Sequence, residues 1–146
     1  MKNQTVEQVR HGKNLIVASL VTSEQERLDF LPRVFSKYFL DVQPYVYHHM
    51  SSLCQEYTGG YWHFYDLSNN GGYLGLDKSD TYRIVVPGNY FDGELNGDAA
   101  GIVATLFALS HLAELKGSEL LIDRYHELLA YSRSHEEAGL ISSAID

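Results

Sequence analysis

Residues 51–73 read SSLCQEYTGGYWHFYDLSNNGGY, and the fold is decided in this stretch. Tyr57, Tyr61, Trp62, Phe64, Tyr65 and Tyr73 are set between two glycine pairs, Gly59-Gly60 and Gly71-Gly72. Aromatic residues at strand spacing, bounded by Gly and Asn, predict a hairpin built around a large apolar payload. Extended segments are expected at 61–67, 73–76, 81–86 and 90–95. The turns between them, at 68–71, 77–80 and 87–89, are short enough to permit only antiparallel neighbours. A four-stranded antiparallel meander follows. Within it Tyr82, Ile84 and Val86 alternate with Thr81, Arg83 and Val85, giving an inward and an outward face.

Helical patterns lie on both sides of the meander. Ahead of it, residues 1–14 are polar and aperiodic and read as a mobile tail, and 15–21 (LIVASLV) is β-branched and reads as a strand. Ser23 with Glu26 forms a capping box opening a helix that should stop before Pro32, where a new helical turn begins. Asp41 is the expected N-cap of the next helix, with Pro44 in its first turn and apolar residues recurring from Val42 to Tyr57. After the meander, Asn96 or Asp98 caps a helix that is apolar nearly all round and therefore central; Gly117 ends it and Ser118 opens another. Ser134 with Glu137 reads as a second capping box. The fold class expected is α+β: the meander packed against several helices in a single compact domain spanning residues 15–146.

Composition narrows the functional classes. The chain has 146 residues and a net charge of −8, from 19 acidic groups against 11 Lys plus Arg. The acidity reflects missing basic residues, which argues against direct nucleic-acid binding. Mimicry of duplex DNA is disfavoured too, since a mimic of about 12 base pairs needs roughly 24 ordered negative charges. Cys54 is the single cysteine, so an internal disulfide is excluded and a reducing, cytoplasmic setting is expected. The longest apolar run, 99–109, falls short of the ~20 residues of a membrane span, and no membrane association is expected.

No residue pattern singles out a reaction centre. Cys54 lies on an apolar stripe with Met50, Leu53 and Tyr57, where a thiol behaves as a small hydrophobe and not as a nucleophile activated by His48, His49 or His63. His48 and His49 are adjacent on a helix and diverge by roughly 100°, so they cannot share an ion, and no metal or cofactor is expected. Asp66, Asp92 and Glu94 could in principle form a carboxylate pair, but no spacing selects one. The charge is uneven along the chain: residues 1–88 carry net −1 and residues 89–146 net −7. Glu119, Asp123 and Glu127 recur at four-residue spacing, followed by Glu136, Glu137 and Asp146. These acids read either as a solvated face or as a docking patch for a basic partner.

Three segments, SSLCQEYTGGYWHFYDLSNNGGY (51–73), GELNGDAAGIVATLFALSHLA (93–113) and LIDRYHELLAYSRSHEEAGLISSAID (121–146), resemble the ArdB/KlcA-type antirestriction proteins of plasmids and other mobile elements. With FLPRVFSKYFL (30–40) the similarity covers roughly residues 15–146. The resemblance implies a compact α+β fold and inhibition of type I restriction–modification systems. It implies no catalytic group. Two main functions are open on this basis, with mimicry of DNA by the acidic face alone as a third, weaker option. One is a non-enzymatic inhibitor contacting the restriction complex, or a host factor it needs, through Asp123, Glu127, Glu136, Glu137 and Asp146. The other is a small hydrolase or modifier acting through a pocket at Tyr61, Trp62, His63 and Tyr65.

Overall fold

In the computed structural model, described for residues 15–146, the chain runs β1 (Ala18–Leu20), α1 (Glu24–Phe35), a 3₁₀ turn (Ser36–Tyr38), α2 (Phe39–Leu53), β2 (His63–Leu67), β3 (Gly72–Gly75), β4 (Thr81–Val86), a 3₁₀ turn (Pro87–Asn89), β5 (Phe91–Asn96), α3 (Gly97–Lys116), α4 (Glu119–Ser132) and α5 (Ala138–Ile145). The tail expected over residues 1–14 lies outside the described residues. The class is α+β, with every strand pair antiparallel.

The four-stranded meander is corrected to two sheets, one ordered β1-β2-β3 and one β4-β5. The break falls between β3 and β4, and α3 is its cause. This helix lies directly on β3: a methyl group at Gly101 would overlap the Leu74 carbonyl and Gly75 Cα, and one at Gly97 would overlap the Asp77 backbone. Leu74 gives its N–H to Thr105 Oγ1 at 3.3 Å, and its carbonyl accepts from the same hydroxyl at 3.3 Å. The helix thus takes the place a fourth strand would need. Strand β1 completes the first sheet instead, with Ala18 opposite Leu67 and Leu20 opposite Tyr65.

Helix α3 is the centre of the core. Ala99, Ala100, Ile102, Val103, Ala104, Leu106, Ala108, Leu109 and Leu112 are fully or almost fully buried against α2, α4, α5 and β3. Its length and apolarity match a membrane span, but most of it is buried inside this fold. Asn96 caps it by accepting the Ala99 N–H at 2.8 Å, and Gly117 ends it in the left-handed region at φ 60°.

Other boundaries shift for identifiable reasons. Ser23 caps α1 as expected, accepting the Glu26 N–H at 3.1 Å. The helix then runs through Pro32 to Phe35 instead of stopping. Likewise α2 starts at Phe39, before Asp41, so Pro44 falls inside it beyond the first turn. A proline there removes the donor for the carbonyl four residues back, at Leu28 and Leu40 respectively. Both residues are exposed, so water can serve those carbonyls. Helix α2 also ends at Leu53, short of Gly59. The second capping box does not form. Ser134 donates to the Tyr131 carbonyl, and Glu137 takes the Asn96 N–H at 2.9 Å, tying the α5 entrance to β5.

Candidate functional site

Strand β2 sorts the aromatic stretch by alternation. Trp62, 3% exposed, and Phe64 turn into the core, the indole N–H donating to Tyr57 Oη at 2.9 Å and Phe64 stacking on Phe30 at 4.9 Å. Tyr61, His63 and Tyr65 form a row on the other side, with ring centroids 5.2 and 6.4 Å apart. The row continues through Tyr73 (4.8 Å), Tyr131 (5.7 Å) and His135 (6.3 Å). Of the four residues expected to form one pocket, Trp62 is thus turned to the core while Tyr61, His63 and Tyr65 stay in contact along the row. Tyr61 alone among them opens on the groove of about 690 Å³ between α1 and α2, beside Leu28, Pro32, Leu40 and Pro44. Arg27 bridges the two sides, its guanidinium 4.8 Å from the Tyr61 ring and 4.2 Å from the Phe64 ring.

The row ends at a buried polar cluster that the sequence reading missed. Asp98, 4% exposed, accepts the Tyr73 hydroxyl at 2.9 Å and pairs with His135 Nε2 at 2.8 Å. His135 Nδ1 accepts the Glu137 N–H at 3.0 Å, so the hydrogen-bond pattern assigns the ring proton to Nε2, donated to Asp98. Burial first, then the Asp98 carboxylate, raises the Tyr73 and Tyr65 phenols above their ordinary range. They remain donors. Asp98 sits two residues past the N-cap of α3, where a carboxylate also faces the positive end of the helix. That position was the available signal; the partner His135, 37 residues away, had none.

The acidic residues differ in how firmly they are held, and Glu136 meets only the Asn96 side-chain amide, at 3.5 Å. Arg124 holds Glu127 at 2.9 Å and donates to the Val34 carbonyl at 2.7 Å, so this pair clamps α4 to the end of α1. Glu137 is bonded to Asn96. Asp123, Glu136 and Asp146 are exposed on α4, the α4–α5 turn and the end of α5. Among the described residues none of the three has a cationic side chain within ion-pair distance.

Several other reactive side chains are occupied or shielded, while Glu94 is exposed on β5. Cys54 is buried, and that burial raises its thiol away from the thiolate. Asp66 takes a two-pronged bond from Arg33 at 2.9 and 3.0 Å, and Asp92 one from Arg83 at 2.8 and 2.6 Å. His49 meets His111 across α2 and α3 at 3.2 Å, and burial, followed by the two neighbouring imidazoles, lowers its pKa. Among the described residues no cluster of three or more His, Cys, Asp or Glu could hold a metal ion.

The model of the family described as Antirestriction protein matches residues 55–146. The chain belongs to the antirestriction protein family. It is 50% identical over 138 residues to an antirestriction protein KlcA of Escherichia coli, covering 90% of this chain and 94% of that one. A second KlcA of the same species is 48% identical over 136 residues, covering 90% of this chain and 95% of that one. A solved structure of the KlcA and ArdB proteins superposes with a TM-score of 0.85 at 45% identity, covering 94% of this chain and all of that one. Those proteins are described as having a novel fold and antirestriction activity against type I DNA restriction systems in vivo but not in vitro.

Proposed function

We propose that this antirestriction family member protects DNA from type I restriction–modification systems as a non-enzymatic inhibitor, by protein–protein contact and without mimicking DNA. One observation carries the reading: Asp123, Glu136 and Asp146 stand exposed, without a cationic partner among the described residues, on the part of the chain that carries net −7. Carboxylates without a cationic partner steer a basic surface towards the carboxy-terminal part of the fold. Glu127 and Glu137 hold α4 and α5 in place.

The partner is the restriction complex or a host factor on which restriction depends. Activity of KlcA and ArdB in vivo but not in vitro favours a component present in cells and missing from a purified reaction. The total of 19 acidic groups, one of them the buried Asp98, is too few to imitate a duplex of useful length. The burial of Cys54, which raises its thiol away from the thiolate, favours the non-enzymatic reading over a route through that residue.

The test is charge reversal. A variant carrying Asp123→Lys, Glu136→Lys and Asp146→Lys should keep its circular dichroism spectrum and lose protection of unmodified phage DNA in cells with a type I system. Full protection by that variant would remove the acidic face from the mechanism.

A further inference from the structure

We propose that the tip of the β4–β5 hairpin is a second docking point, with Tyr90 as the aromatic anchor for a basic protein surface. Tyr90 is 94% exposed, the most exposed of the large apolar side chains among the described residues. Its backbone stands in the left-handed region at φ 63°, ψ 18°. This is a conformation that Gly and Asn adopt readily and bulky side chains resist. Both favoured residues are on hand in the same turn, yet Gly88 has an ordinary φ and Asn89 is used elsewhere. A strained aromatic with nothing to pack against is a cost the fold does not need, and such outliers cluster where a surface does work.

The tip is also braced. Asn89 Nδ2 donates to the Ala144 carbonyl at 2.8 Å, and Asn89 Oδ1 accepts the Phe91 N–H at 3.0 Å. The turn is thereby fixed to the last turn of α5, and the ring is presented without a mobile loop to order on binding. A rigid tyrosine with two side-chain torsions is the residue type that anchors interfaces at low entropic loss.

Charge selects the partner. The brace to Ala144 lies two residues from Asp146, and β5 carries the exposed Glu94; Asp92 on the same strand is already paired with Arg83. An exposed ring on the acidic part of the chain, residues 89–146, suits a lysine or arginine, which can lie over the ring face. Phosphate-bearing partners would be repelled. The inference rests on the antirestriction reading for the identity of the partner, but it does not depend on the α4 stripe.

The experiment compares Tyr90→Asn and Tyr90→Phe with the wild type, scoring protection of unmodified phage at matched protein levels and Tm of the purified chains. Tyr90→Asn should hold or raise Tm and lose protection by at least about tenfold, while Tyr90→Phe stays within about threefold. Protection by Tyr90→Asn within about threefold of wild type would overturn the docking point, as would a marked fall in Tm, which would assign Tyr90 to the fold. An Asp123→Lys/Glu136→Lys variant is run alongside. If it loses protection while Tyr90→Asn keeps it, the hairpin tip alone is wrong; a wild type that gives no protection removes the antirestriction reading and the tip together.

Discussion

A methyl group has opposite consequences at two glycines of this chain. At Gly101 it would overlap the Leu74 carbonyl oxygen and Gly75 Cα, both backbone atoms that cannot step aside without moving β3. At Gly139, within α5, nothing lies within 4 Å of the position it would occupy. Helix propensity favours Ala over Gly at either site by up to ~1 kcal/mol. Overpacking of a close-packed core costs about 1–3 kcal/mol and outweighs that gain at Gly101. Urea unfolding should therefore show Gly101→Ala destabilised by roughly 1–2 kcal/mol and Gly139→Ala stabilised by about 0.5 kcal/mol. Equal effects of the two substitutions would mean that α3 does not rest on β3 as closely as described. Sequence alone marks both glycines as weak points of a helix and cannot tell them apart, because the deciding atoms belong to a strand about 26 residues away in the chain.

Elements are held to one another here by polar contacts whose two halves are remote in sequence. Asp98 joins the start of α3 to Tyr73 on β3 and to His135 in the α4–α5 turn. Removing the carboxylate leaves a phenol and an imidazole N–H buried without acceptors, so Asp98→Ala should cost about 3–5 kcal/mol of stability. Chemical denaturation of Asp98→Ala, His135→Ala and the double variant checks this. The double should be less destabilised than the sum of the singles if the two act as a unit. The His49–His111 contact across α2 and α3 gives a pH signature. Burial lowers the His49 pKa, so below an unfolded-state value of about 6.5 the unfolded chain binds a proton that the folded chain resists. Stability is thus complete above that pH and falls as the medium is acidified. Replacing His49 with Gln should flatten the Tm profile between about pH 7 and pH 5. Helix ends set by neighbours within three residues, such as the caps at Ser23, Asn96 and Ser118, were legible in the sequence. The 134–137 box was not, because Glu137 has a better use 41 residues away, on the Asn96 amide.

For the molecule as a whole, the α+β class, the buried central helix and the inert Cys54 could be read from periodicity and composition. The split of the sheet could not, since it follows from α3 lying beside β3, a contact between residues about 26 apart in the chain. The candidate surface was half legible: the acidic run from 119 to 146 is visible, but only folding separates Glu127 and Glu137, which are held at 2.9 Å, from Asp123, Glu136 and Asp146, which have no cationic partner among the described residues, Glu136 meeting only the Asn96 amide at 3.5 Å. Those carboxylates carry a cost that can be measured without any partner. A net charge of −8, with −7 of it in residues 89–146, makes self-repulsion a destabilising term in the folded state. Salt screens it, the Debye length shrinking from about 30 Å at 0.01 M to about 3 Å at 1 M. Raising NaCl across that range should lift Tm by roughly 1–4 °C, equivalent to a fraction of a kcal/mol up to about 1 kcal/mol for a domain of this size. Asp123→Lys/Glu136→Lys should show the higher Tm already at low salt and respond less to added salt. A fall in Tm with salt would instead mean that the exposed pairs Arg33–Asp66 and Arg83–Asp92 outweigh the repulsion. In that case the acidic face would lose its standing as a strained surface kept for a partner.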